Sequence, residues 1–133
     1  MFPGYIRSLD DALAHLDDWA RAMGGQRVNG IATEEARSGA TLIRAFDIEF
    51  AGARVLTVSM TLRADLTPIT YRFNLTTGGA LSWRLDMHPG HEVEHGGPSH
   101  LHVGPSQNYR IAHPPVALVD VADRVHRTLK DEL

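Results

Sequence analysis

The sequence predicts an α+β fold in which a four-stranded antiparallel meander carries an N-terminal and a C-terminal helix on one face. Three observations predict this fold. Apolar residues recur at helical spacing near both ends of the chain, they alternate with polar residues in the middle, and only short turns separate the alternating segments. Because 133 residues is a typical length for one domain, residues 1–133 are expected to form a single α+β domain.

The first helix is predicted to begin after Ser8, whose hydroxyl can accept from a free backbone N–H group of the first turn. Gly24-Gly25 is predicted to end it, because glycine readily adopts the left-handed conformation that closes a helix. The apolar residues that recur at helical spacing between these signals are Leu9, Ala12, Leu13, Leu16, Trp19, Ala20 and Met23. This helix therefore has one apolar side to bury.

From residue 40 the spacing of the apolar residues changes to strict alternation, which predicts β-strands. Four alternating segments lie within residues 40–88, and turns that contain glycine or proline separate them. Alternation gives each strand one apolar and one polar face, so one side of the sheet packs against the helices and the other stays polar. Residues 26–39 are predicted to form a loop or an irregular edge strand.

The last part of the chain begins with a histidine-rich segment and ends with a second helix. Residues 88–113 hold six of the eight histidines together with several glycines and prolines, which predicts a loop or a loop with a short strand. Pro114-Pro115 suits the first turn of a helix. One core is predicted, containing Leu16, Trp19, Phe46, Val58, Phe73, Trp83 and Val125.

Composition narrows the classes of function. The chain has no cysteine, which excludes disulfides, thiolate metal sites and cysteine nucleophiles. A net charge of −3 gives no support for broad electrostatic binding to nucleic acid or to a membrane, although a local basic patch stays compatible with it. The chain start lacks a secretory signal, and no apolar run is long enough to span a bilayer. A cytoplasmic protein without a membrane partner is expected.

Two arginines on the predicted polar face are candidates for phosphate binding. Arg72 and Arg84 fall on adjacent strands, with Asp86 two residues further along. Two guanidinium groups can hold a phosphate, because each offers planar paired donors and keeps its charge. The alternative is that they form cross-strand ion pairs with Asp47, Glu49 or Asp86, as many surface arginines do.

The histidine-rich segment offers a pair of candidate acid–base groups. On an extended segment, His100 and His102 would point to one face, where two imidazoles can serve as general base and general acid. They could also ligate a metal, with further ligands drawn from Asp86, His88, His91 and Glu94. The spacing matches no common zinc motif, and histidines of polar loops often face solvent without a role. No cofactor and no bound metal are therefore expected.

These motifs resemble those of the TumE-type toxins of prokaryotic toxin–antitoxin modules. The resemblance covers about residues 69–129, through Tyr71-Arg72-Phe73, Gly79-x-Leu81-x-Trp83-Arg84-x-Asp86, His100-x-His102-Val-Gly and the C-terminal helix. The site residues that the resemblance implies are Arg72, Arg84, Asp86, His91, His100 and His102. It also implies a toxin whose partner is a cognate antitoxin protein.

The leading hypothesis combines the resemblance with the chemistry of these residues. It is a metal-independent ribonuclease in which Arg72 and Arg84 bind the scissile phosphate of an RNA substrate. One of His100 and His102 accepts the proton of the ribose 2′-hydroxyl, and the other, or His91, protonates the leaving oxygen, while Asp86 orients an imidazole. Two other hypotheses stay open: a non-catalytic domain whose polar sheet face docks a protein partner, and a histidine-rich, metal-binding phosphodiesterase. A homodimer is also left open.

Overall fold

The computed structural model describes residues 1–89, 99–105 and 110–131. Within these residues the chain forms two helices and eight strands. In chain order the elements are α1 (Leu9–Ala22), β1 (Gln26–Arg27), β2 (Thr33–Glu35), β3 (Thr41–Phe50), β4 (Arg54–Leu62), β5 (Pro68–Thr77), β6 (Ala80–Met87), β7 (Ser99–Val103), β8 (Arg110–Ala112) and α2 (Leu118–Leu129). The fold class is therefore α+β, as the sequence predicts.

All the strands belong to one antiparallel sheet. Strands β3, β4, β5 and β6 form the predicted meander, and β7 and β8 extend it beyond β6. Strands β1 and β2 both pair with β3 at the opposite side. The prediction of a four-stranded sheet is wrong in its strand number, because four further strands join the predicted meander. Each of these added strands has only two to five residues. Strands this short contain too few residues for alternation to reveal them.

Both helices pack on the apolar face of the sheet, as predicted. The indole N–H of Trp19 in α1 donates to the carbonyl of Leu118 at the start of α2 over 3.0 Å. From the sheet, the indole N–H of Trp83 donates to the hydroxyl of Thr128 in α2 over 2.9 Å. All seven residues predicted for the core belong to one cluster of buried side chains. The apolar stripes of both helices and one face of the sheet therefore close a shared core.

The helix ends show where local sequence signals are reliable. The Ser8 hydroxyl accepts from the backbone N–H of Asp11 over 3.1 Å, and Gly24 adopts a φ of 77° after the helix, so α1 has its predicted limits. Helix α2 begins at Leu118, three residues after the Pro114-Pro115 signal. The side chain of Asp120 accepts there from the backbone N–H of Ala117 over 3.0 Å and caps the first turn. No helix among the described residues is long and apolar enough to cross a membrane.

Candidate active site on the polar face of the sheet

The register of β5, β6 and β7 brings five of the six predicted site residues together on the polar face. Asp86 of β6 is the cross-strand partner of both Arg72 on β5 and His100 on β7. Arg84, two residues before Asp86, is the partner of His102. Because alternate side chains of a strand share a face, all five lie on the side of the sheet opposite the helices. His91, the sixth residue, lies outside the described residues.

The position of β7 explains why its two histidines share an orientation. The histidine-rich segment returns to the sheet as an extended strand, and β7 pairs with β6 on one side and with β8 on the other. The segment was expected at most as a short strand, and an interior position in the sheet was not predicted. An interior strand has both of its hydrogen-bonding edges occupied, so its backbone holds the two imidazoles at fixed positions.

The carboxylate of Asp86 is the centre of this group. Its Oδ1 accepts from Arg72 Nε over 2.9 Å, and its Oδ2 accepts from Arg84 Nε over 3.0 Å. The Nε2 atoms of His102 and His100 lie 3.1 Å and 3.6 Å from the same Oδ2. The two imidazole rings are 4.7 Å apart between centroids in an edge-to-face arrangement. We refer to Arg72, Arg84, Asp86, His100 and His102 as the Asp86 cluster.

Burial divides the Asp86 cluster into an inner and an outer part. Asp86, His100 and His102 are buried, and the Arg84 side chain is only 13% exposed. The side chain of Arg72 is 54% exposed and reaches solvent. A carboxylate buried this deeply requires charged partners, since an unpaired buried charge costs several kcal/mol. The arginines therefore hold the Asp86 carboxylate in place, while Arg72 forms the accessible side of the cluster.

The structure decides between the ion pairs left open by the sequence. Both arginines pair with Asp86, whereas the carboxylate of Asp47 accepts from the Thr57 hydroxyl over 2.6 Å. Each arginine uses its Nε for Asp86, and the half-exposed guanidinium of Arg72 reaches solvent. Arg72 can therefore serve the ion pair and still present donors to an anion.

The same cluster contains three groups with the chemistry of metal ligands. Asp86, His100 and His102 offer ligand atoms that lie within 4.8 Å of one another. Two imidazoles and a carboxylate are common ligands of zinc and of other divalent metals. The ligand atoms fit a metal ion in spacing, although the Asp86 oxygen that would bind it already accepts from Arg84 Nε. His88, the other proposed ligand among the described residues, lies outside this trio.

The buried side chain of Tyr71 contacts the start of β7, the strand that carries both histidines of the cluster. The Tyr71 hydroxyl lies 2.6 Å from the hydroxyl of Ser99, the first residue of β7, and accepts from the backbone N–H of Val116 over 3.2 Å. Burial raises the pKa of Tyr71, so the phenol stays neutral. This role of Tyr71 was not predicted from the sequence. The sequence did contain a signal for it: Tyr71 stands among the alternate residues of its strand that face the core. A tyrosine hydroxyl that is buried there requires a hydrogen-bond partner.

Together the fold and the site define a small α+β protein with an arginine- and histidine-rich site on the polar face of its sheet. The model of the toxin TumE family matches residues 2–132, nearly the whole chain, so this chain belongs to that family and is a toxin. The match extends well beyond residues 69–129, the part in which the motifs show the resemblance. Membership implies a cognate antitoxin as its partner. A search of curated proteins and a search of solved structures each found no match.

Proposed function

We propose that this toxin is a ribonuclease that cleaves RNA at the Asp86 cluster without a metal ion. The observation that carries the proposal is the convergence of two guanidinium groups and two imidazoles on one buried carboxylate. Guanidinium groups bind phosphates, and imidazoles transfer protons near neutral pH. The set therefore supplies charge stabilisation and acid–base groups, which are the two requirements for cleaving a phosphodiester.

Arg72 and Arg84 are proposed to bind the scissile phosphate. Their Nε atoms are held by Asp86, which fixes both guanidinium planes before the substrate arrives. Donors that are positioned in advance stabilise developing negative charge without reorganising during the reaction. The substrate phosphate is proposed to contact Arg72 first, because the side chain of Arg72 is half exposed. Arg84 Nη2 lies 3.5 Å from His102 Nε2, so a phosphate on Arg84 would lie beside an acid–base group.

His100 and His102 are proposed to transfer the protons of the reaction. One imidazole accepts the proton of the ribose 2′-hydroxyl, and the 2′-oxygen forms a bond to phosphorus. The bond from phosphorus to the 5′-oxygen then breaks, and the other imidazole, initially protonated, donates its proton to that oxygen. The products are a 2′,3′-cyclic phosphate and a 5′-hydroxyl end. The 4.7 Å between the ring centroids allows both imidazoles to reach one phosphate.

Asp86 is proposed as a positioning residue. A carboxylate 3.1 Å from His102 Nε2 favours a proton on that nitrogen and thereby fixes the ring and its tautomer. It also stabilises the imidazolium form during proton transfer, as the carboxylate of a catalytic triad does. His91, carried over from the family resemblance, stays a further proposed acid.

The charge of the cluster favours an anionic ligand over a metal ion. With neutral imidazoles, the two arginines and Asp86 leave the Asp86 cluster with a net positive charge. A divalent cation between His100 and His102 would lie next to the guanidinium of Arg84 and would compete with it for Oδ2. A phosphate has the opposite charge and displaces neither partner. This local charge also outweighs the acidic net charge of the chain, since recognition depends on the field at the site.

A metal-dependent phosphodiesterase is the second candidate, and the spacing of the three ligand atoms favours it. Two imidazoles and a carboxylate leave coordination positions open for water and a phosphate oxygen. The two candidates differ in their response to a chelator. Only the metal-dependent enzyme loses its activity when divalent ions are removed.

The test uses the purified full-length toxin and a mixture of cellular RNA in the presence of excess chelator. The wild type is expected to cleave, and His102→Ala is expected to cleave about 10²–10⁴-fold more slowly, the usual cost of losing an acid–base group. His126→Ala removes an exposed histidine on α2 and serves as the matched control with unchanged cleavage. Circular dichroism confirms that each variant is folded.

The same variants separate the alternatives. Cleavage that stops with the chelator and returns with zinc or manganese would support the metal-dependent enzyme. Growth arrest by His102→Ala equal to that of the wild type, without RNA cleavage by either protein, would support the docking domain instead.

A further inference from the structure

A cavity of about 160 Å³ opens on the polar face immediately beside the Asp86 cluster. Its lining includes Ser59, Thr70, Arg72, Asp86, Met87 and His88. Two of these residues, Arg72 and Asp86, also belong to the Asp86 cluster, so the cavity and the proposed catalytic groups form one continuous surface.

The cavity lies along β4, β5 and the end of β6, whereas the two imidazoles lie on β7. One row of cross-strand partners runs from Ser59 on β4 through Arg72 on β5 and Asp86 on β6 to His100 on β7. A phosphate held by the arginines would therefore have the acid–base groups on one side and the cavity on the other. An adjoining part of the substrate would be directed into the cavity.

The lining of the cavity is polar but nearly neutral. Ser59 and Thr70 are half-buried, and within the part of the chain that the structure describes their hydroxyls form no hydrogen bond. Other hydroxyls of the sheet are occupied, such as that of Thr57, which donates to Asp47. Arg72 and Asp86, which both line the cavity, form an ion pair with each other, and Asp86 also pairs with Arg84. Available hydroxyls without excess charge suit an uncharged ring with hydrogen-bonding edges better than a second phosphate.

We infer that this cavity is a subsite for one nucleobase next to the scissile phosphate, read by the hydroxyls of Ser59 and Thr70. The inference rests on the proposed ribonuclease function and adds the substrate class to it. A base can enter such a cavity only after it has left its stack, so the substrate is single-stranded RNA. Cleavage would then depend on the identity of one base, the one next to the cleaved bond on the side that faces Arg72.

The test measures cleavage of a single-stranded RNA pool with randomised sequence, with the cut ends determined by sequencing. The wild type is expected to prefer particular bases at one position next to the cut by roughly five- to a hundredfold, the range of discrimination from base-edge hydrogen bonds. The double variant Ser59→Ala/Thr70→Val should lose most of this preference, because cleavage at the preferred base should fall toward the rate at the other bases. Thr61→Val, a hydroxyl loss on the same face outside the cavity lining, should retain the preference.

The outcomes separate the subsite from the ribonuclease. Cleavage by the double variant with an unchanged base preference would overturn the subsite and leave the ribonuclease in place. Equal cleavage of a perfect duplex and of the single strand would also overturn it. If the wild type cleaves no RNA at all, both proposals fail together. The melting temperature of each variant is compared with the wild type, so that a folding defect is not read as a loss of specificity.

Discussion

The two faces of the sheet are built from alternate residues of the same strands, and they are organised on different principles. On the helix side the side chains are apolar and buried, and they share one continuous core. On the other side, four polar residues converge on the single carboxylate of Asp86 through contacts of defined distance and direction. Burial of apolar area is non-directional, whereas each contact of the Asp86 cluster depends on the position of its partner.

This difference predicts which property a substitution changes. A change on the apolar face should lower stability and leave the activity of the folded molecules intact. A change on the polar face should lower activity and leave stability nearly intact where the side chain is exposed. Three matched pairs of substitutions test this difference. Each pair changes the same residue type, leucine, arginine or tyrosine, once at a position that matters and once at a control position.

The largest expected change in stability comes from the apolar face. Leu56 on β4 is fully buried in the core, and Leu56→Ala should lower the free energy of unfolding by about 2–5 kcal/mol because it leaves a cavity. Leu42 on β3 is 37% exposed, and its partner Thr61 belongs to the polar face. Leu42→Ala should cost much less. Urea unfolding of both variants checks this, and equal losses would show that the two faces do not differ as described.

The largest expected change in activity without loss of stability comes from Arg72. Arg72→Ala should slow RNA cleavage about 10²–10³-fold, as the loss of a preorganised donor does. Because the Arg72 side chain is half exposed and Arg84 still pairs with Asp86, the change should cost about 1 kcal/mol of stability or less. Arg44→Ala removes a comparable exposed ion pair, with Glu34, far from the Asp86 cluster and should leave cleavage unchanged. A similar effect of both substitutions on cleavage would contradict the assignment of Arg72.

The third pair of substitutions concerns Tyr71, which belongs to the core and contacts Ser99, the residue before His100. Tyr71→Phe removes the partner of the Ser99 hydroxyl and the acceptor of the buried Val116 N–H, which should cost about 1–3 kcal/mol. Tyr5→Phe, at a side chain that is 71% exposed, is the control with no measurable change. A loss below a few tenths of a kcal/mol for Tyr71→Phe would show that this link does not hold β7.

Tyr71 also predicts how the free energy of unfolding changes with pH. Burial raises the pKa of Tyr71 in the folded chain above its usual value near 10, so the folded chain holds this proton more tightly than the unfolded chain does. Its contribution to stability is therefore complete below pH 10 and is lost as the pH rises from 10 through the raised pKa. In the Tyr71→Phe variant the free energy of unfolding should fall less steeply above pH 10 than in the wild type.

The long strands could be predicted from the sequence, whereas the short ones could not. Strands β3 to β6 have eight to ten residues, long enough for alternation to show both their existence and their faces. Alternation also placed Arg72, Arg84 and Asp86 on one face. Strands β7 and β8 acquire their structure from pairing with β6 and with each other, which no local pattern encodes.

The geometry of the site likewise depends on tertiary register. The spacing of His100 and His102 indicated a shared orientation, but not which residues they would face or that they would be buried. Their contact with Asp86 is set by the register of β6 against β7. A shift of this register by one residue would turn both imidazoles to the other face of the sheet.

The chemistry of the RNA ends tests the central claim most directly. RNA cleaved by the wild-type toxin in excess chelator is predicted to carry 2′,3′-cyclic phosphate and 5′-hydroxyl ends, because the 2′-oxygen is the nucleophile and His100 and His102 transfer the protons. Those ends should be nearly absent after incubation with His102→Ala and present with His126→Ala. Ends that carry a 3′-hydroxyl and a 5′-phosphate and form only with added divalent metal would contradict the account, since water activated by a metal would then be the nucleophile.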